Sequence, residues 1–160
     1  MISFTKVHVV ISLVAIVSGF FVAFGLLTAK RLDGLTAFFL ITTVATSVTG
    51  FFFPFHGFTP AIGVGIVSLV VLAIAIFARY GRKVTGAWRW IYIVTAMLAL
   101  YLNVFVLIVQ LFQKVPALKA LAPTQSEPPF QVTQIIAFAL FVVLTIFAVI
   151  KFRNEQPVGE

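Results

Sequence analysis

The chain has 160 residues, of which 62% are hydrophobic and 9% charged, with a mean hydropathy of +1.18 and a formal net charge of +7. Soluble domains carry about 45–50% apolar and about 25% charged residues. A soluble fold of this size cannot hide so much apolar surface, which points to lipid as the solvent, and the absence of cysteine excludes disulfides, thiolate catalysis and cysteine-held metals or clusters.

Five apolar runs follow one another, over residues 7–29, 35–53, 61–78, 87–112 and 130–150. A bilayer core of about 30 Å needs about 20 apolar residues per helix, so each run reads as a transmembrane helix. Together they predict an all-α polytopic membrane bundle, a single domain over 1–160 with no separate soluble catalytic domain. The first run is too long for the apolar region of a cleavable leader and reads as a retained span. It carries a small-residue seam, Ser12, Ala15, Gly19 and Ala23, of the kind that lets helix backbones approach in lipid.

Asp33 is placed to cap the second helix by accepting from free first-turn amides. That helix is rich in hydroxyls, and Thr36, Thr43, Ser47 and Gly50 share one face. The connection "FFFPFHGFTP" sets His56 between two prolines, with Thr59 and Pro60 forming an N-cap and N1 pair for the third helix. Ala61, Gly65, Ser68 and Ala75 make a second small-residue seam. Trp88, Trp90 and Tyr92 stand where an aromatic belt would anchor the fourth span. The long connection after it predicts one short amphipathic helical turn from Lys114 to Leu121, followed by an extended return through "APTQSEPP". Pro128 and Pro129 open the fifth helix, where a missing donor costs nothing.

Basic residues are distributed unevenly. Lys30, Arg31, Arg79, Arg82, Lys83, Arg89, Lys151 and Arg153 fall at one set of helix ends, against Lys6, Lys114 and Lys119 at the other. The positive-inside rule puts the larger set in the cytoplasm, so the N-terminus faces out and the C-terminus in. In a soluble protein this charge would suggest nucleic acid. Here it describes topology, and no nucleic-acid partner is implied.

The outer half then collects His8, Ser12, His56, Asn103, Gln110, Glu127 and Gln134. Polar groups within a bilayer need partners and face the bundle interior or a cavity. One reading is an outward pocket of His8, Ser12, His56, Asn103, Gln110 and Gln134 for a lipid-like or quinone-like molecule, a metal or a single heme. His8, His56 and Glu127 would be the metal ligands. The other reading is that the amides bridge helices and the histidines sit at the wet interface. Two histidines on one face cannot hold the two hemes of a transmembrane electron path. No serine–histidine–acid constellation is present, and no span centre carries the charge that a proton pump or ion-coupled transporter uses. No cofactor is required.

"KVHVVISLVAIVSGF" places a histidine at the head of the first span with a glycine eleven residues on, and "TTVATSVTGFFF" closes the second with Thr-Gly and aromatics. These segments resemble a family of small polytopic bacterial membrane proteins classed as a domain of unknown function. Where that family places a second histidine in the first loop, "AKRLDGL" has Asp33. The resemblance implies a multi-pass protein of the bacterial inner (plasma) membrane and no catalytic activity. Its expected partners are membrane lipids and other membrane proteins or itself, contacted helix to helix in an accessory or assembly role.

Overall fold

The computed structural model describes residues 3–28, 30, 32–52 and 60–152, without the side chains of residues 60 and 61. Six helices and no strand occur among the described residues. Helix α1 (Phe4–Leu27) starts on Ser3, whose hydroxyl accepts from the Lys6 amide, and stops where the Thr28 amide and hydroxyl turn back onto the Phe24 and Gly25 carbonyls. Helix α2 (Asp33–Gly50) begins differently from the sequence expectation. Leu32, in the left-handed region at φ 46, precedes the first turn and no side chain caps it. Asp33 is the first helical residue, and its carboxylate pairs with Arg79.

Helix α3 (Pro60–Ile76) passes directly into a π-helical turn, Phe77–Gly81. Helix α4 (Trp88–Lys114) is the longest, followed by the six-residue α5 (Pro116–Leu121) with proline at its start, as the first helical turn allows, and by α6 (Pro128–Lys151). Among the described residues, four stretches are long and apolar enough to cross a membrane: Phe4–Leu27, Ile62–Gly81, Trp88–Lys114 and Pro128–Lys151. Helix α2, diluted by six hydroxyl side chains and an acid, is not among them.

Contacts define the arrangement. Helix α4 packs against α1, α3, α5 and α6, while α2 lies between α1 and α3. Successive helices α1, α2 and α3 run antiparallel, since the start of α1 meets the end of α2 and the start of α2 meets the end of α3. The bundle therefore has a histidine end and a basic end. Small residues set the close approaches: Ala15, Gly19 and Ala23 are buried on α1, and Ser68 and Ala75 on α3. At Gly19 an added Cβ would lie 2.5 Å from Leu100 Cδ1 and 2.8 Å from Phe39 Cε1, so only glycine lets α1, α2 and α4 converge there. On α2 the predicted stripe is buried at Thr36, Thr43 and Ser47, whereas Gly50 is exposed. Helix α6 is peripheral, with 11% of its apolar window buried against 33–44% for the other three. Its buried stripe is Gln134, Phe141 and Ala148, every seventh residue.

Candidate functional site

At the histidine end, the His8 Nδ1 lies 2.7 Å from the Thr49 hydroxyl. That hydroxyl also lies 2.7 Å from the Ala45 carbonyl of its own helix. The contact ties α1 to α2. Ser12 turns back to the Val9 carbonyl at 2.8 Å, a local bond of the sort hydroxyls make on helices. Asn103 is buried, and its Nδ2 donates to the Thr43 hydroxyl at 3.4 Å, joining α4 to α2. Gln134, 9% exposed, donates through Nε2 to the Phe105 carbonyl at 3.3 Å and joins α6 to α4, while its Oε1 has no partner among the described residues. Gln110 is exposed on α4. His56 lies outside the described residues.

The predicted residues thus occupy three separate seams, α1–α2, α2–α4 and α4–α6. A hollow of about 370 Å³ at this end is lined by Phe112, Gln113, Lys119, Pro123, Thr124 and Gln125, and contains none of them. No group of three metal-ligating side chains assembles among the described residues.

Glu127 is engaged locally. Its carboxylate accepts from the Thr124 hydroxyl and amide and from the Ser126 amide, and these bonds, led by the Thr124 hydroxyl, hold its carboxyl below the usual range against a small opposing cost of desolvation. The expected extended return is instead a compact turn, with Gln125 in the left-handed region at φ 61. The Gln125 amide donates to the Val109 carbonyl at 3.0 Å and its Oε1 accepts from Gln113 at 3.3 Å. Segment 114–129 is thereby fastened to the end of α4.

The densest polar constellation sits at the opposite end. Arg79, assigned by sequence to a loop, lies in the π turn and is 4% exposed. Its Nη2 donates to Asp33, its Nη1 donates to the Tyr92 hydroxyl at 3.1 Å, and its guanidinium lies 5.3 Å from the centre of the Tyr92 ring. Thr36 also hydrogen-bonds the Tyr92 hydroxyl. Tyr92 is therefore fully buried and not part of an interfacial belt, unlike the exposed Trp90.

The turn that follows is strained. Lys83 and Val84 are consecutive left-handed residues at φ 54 and 59, and Gly86 follows at φ 55. A β-branched residue there is a genuine outlier. Val84 is held by its amide, bonded to the Ala78 carbonyl at 2.9 Å, and by a side chain that is 1% exposed. Arg89 closes the end of α6 by donating to the Val149 and Phe152 carbonyls at 2.6 Å each, and Phe152 is buried against Tyr92. One signal for this cluster was present in the sequence: Asp33 is the single acid in the two connections, residues 30–34 and 79–86, that are otherwise basic.

Fold and polar contacts together define the class: an all-helical, apolar bundle whose helices are cross-linked by single polar side chains, with a clamped ion pair at one end. Comparison with protein-family models, curated proteins and solved structures yields no match to the chain.

Proposed function

We propose that this chain is a five-span protein of the bacterial inner membrane, N-terminus out and C-terminus in, that acts by lateral helix–helix contact in an accessory or assembly role. The observation that carries this reading is where the polar groups go. The described side chains His8, Asn103, Gln134, Arg79 and Tyr92 each bond across a helix pair, and the hollow at the histidine end is lined by no catalytic set. Helix α2 completes the count of five: its 18 residues span about 27 Å, and its hydroxyls bond to their own helix's carbonyls, which removes most of their polar cost.

The outer face of α6, with Val143 and Phe147 exposed, is the surface for the contact. The reading of an outward ligand pocket draws less support, because its described members stand on separate seams.

A photo-crosslinking residue at Phe147, introduced in native membranes, tests the role. The expected result is a discrete protein adduct that disappears when Val143 is replaced by Trp. Adducts with lipid alone would overturn the contact role. A C-terminal reporter active only outside the cytoplasm would overturn the orientation.

A further inference from the structure

The hollow of about 370 Å³ at the histidine end carries a chemistry that the helix contacts do not use. Two of its lining residues are apolar: Pro123, and Phe112, which is buried and packs edge-on against Phe130 with centroids 5.4 Å apart. The other four, Gln113, Lys119, Thr124 and Gln125, are polar. The Thr124 hydroxyl is given to the Glu127 carboxylate. Gln113 Nε2 donates one N–H to Gln125 Oε1, and Gln125 Nε2 donates one to the Val109 carbonyl, so each amide keeps a second N–H. The Lys119 ammonium, with three donors, has no partner among the described residues.

The lining is thus rich in donors and carries one positive charge. No carboxylate lines it for a metal cation to bind. Glu127, the one acid in residues 114–129, stands outside the lining with its oxygens already met by Thr124 and Ser126. The depth is that of lipid headgroups. Helix α4 rises about 40 Å over its 27 residues, against about 30 Å of hydrocarbon, so its ends stand about 5 Å beyond the apolar layer. The hollow is built on the last turn of α4 and the segment after it. Beside Lys119, Leu121 is 55% exposed and Val115 36%, apolar surface of the kind that an interfacial helix buries among acyl chains.

We infer that this hollow binds the phosphodiester of a membrane phospholipid, with Lys119 neutralising its single negative charge and the Gln113 and Gln125 amides donating to its oxygens. Charge-assisted bonds to an anionic oxygen are the stronger kind, and the lining offers them beside an apolar surface. A soluble phosphate has the same oxygens but nothing to set against Phe112, Pro123 and Leu121, whereas a lipid brings its glycerol and first methylenes. The inference rests on the membrane placement proposed above, and on neither the orientation nor the contact through α6. A chain recovered in the soluble fraction without detergent would overturn that placement; the outcomes below bear on the site.

The test is titration of the full chain in a non-ionic detergent with dioleoyl phosphatidylglycerol, with lipid adducts resolved by native mass spectrometry. Dioleoylglycerol supplies the same tails without phosphate, and glycerol 3-phosphate supplies phosphate without tails. One saturable phosphatidylglycerol site is expected, weakened about tenfold in Lys119→Gln, the worth of one hydrogen bond to a charged group, and retained in Lys119→Arg. Lys119 is exposed, so these variants keep the fold, and unchanged circular dichroism checks it. Lys6→Gln, at the same end but outside the lining, should leave the affinity unchanged. No saturable site, equal affinity in Lys119→Gln, equal affinity for dioleoylglycerol, or the same loss in Lys6→Gln would each overturn the inference. Displacement by equimolar glycerol 3-phosphate would overturn it too, by making a soluble phosphate the occupant.

Discussion

Gly19→Val probes the point at which α1, α2 and α4 converge. A Cβ at this position would meet Leu100 Cδ1 at 2.5 Å and Phe39 Cε1 at 2.8 Å, whereas carbon pairs rest at about 3.5–4.0 Å. The neighbours must retreat by about 1 Å, and both are 1% exposed, with core on their far sides. Overpacking of this kind costs about 1–3 kcal/mol, and the two further methyls of valine put it toward the upper end. The better helix propensity of valine over glycine returns only about 0.3 kcal/mol, for a net loss of about 2 kcal/mol. Reversible unfolding in mixed micelles, followed by circular dichroism against a rising fraction of denaturing detergent, measures it. Leu100→Ala in the same chain should relieve the clash, so the double variant should lose less than the sum of the singles by about 1 kcal/mol or more. Gly34→Ala is the control: nothing lies within 4 Å of its added Cβ, and it should stabilise by about 0.4–1 kcal/mol. A Gly19→Val loss within about 0.5 kcal/mol of zero, or strict additivity with Leu100→Ala, would refute the close-approach argument.

The Arg79–Asp33 pair predicts an asymmetry, because the arginine side chain is 3% exposed and the aspartate 71%. Asp33→Ala removes the carboxylate from a buried guanidinium that keeps its Tyr92 contacts and should cost more, about 1–3 kcal/mol, than Arg79→Met, which leaves a solvated carboxylate; the reverse order in detergent unfolding would contradict the burial argument. Arg89→Gln removes charged donors from the Val149 and Phe152 carbonyls, and should cost about 1.5–3 kcal/mol with faster amide exchange confined to the end of α6; uniform exchange throughout α6 would count against a terminal clamp. The depressed pKa of Glu127 gives a signed pH dependence: order in the 122–127 turn is present above the ordinary carboxylate range and is lost as pH falls through the lowered folded value. Amide protection of Thr124 and Ser126 reads this, with Glu127→Gln losing it already at neutral pH, and protection that persists when the carboxyl is protonated would refute the assignment.

Much of the fold was legible because it is set locally. Apolar runs mark helices when lipid is the solvent, and the helix starts at Pro116 and Pro128 follow from chemistry within one turn. The seams at Gly19 and along Thr36, Thr43 and Ser47 follow from a fixed period of 3.6 residues. Asp33 is the instructive exception. As a local reading it is the opening residue of a helix, and only the fold brings its carboxylate to a buried guanidinium from another helix.

What the sequence by itself determined is the apolar helices and the small faces on which they meet, since each depends on residues within a turn or two of one another. Which polar side chains find each other was decided only by the tertiary structure. A hydrogen bond across a seam depends on the rotation and height of two helices distant in sequence, as for His8 and Thr49, 41 positions apart, or Asn103 and Thr43, 60 apart. The π turn at Phe77–Gly81 shows why no pattern reaches this. It breaks the 3.6-residue register, and with the register broken Arg79 lies buried on Asp33 and Tyr92 where the chain alone reads as a basic loop.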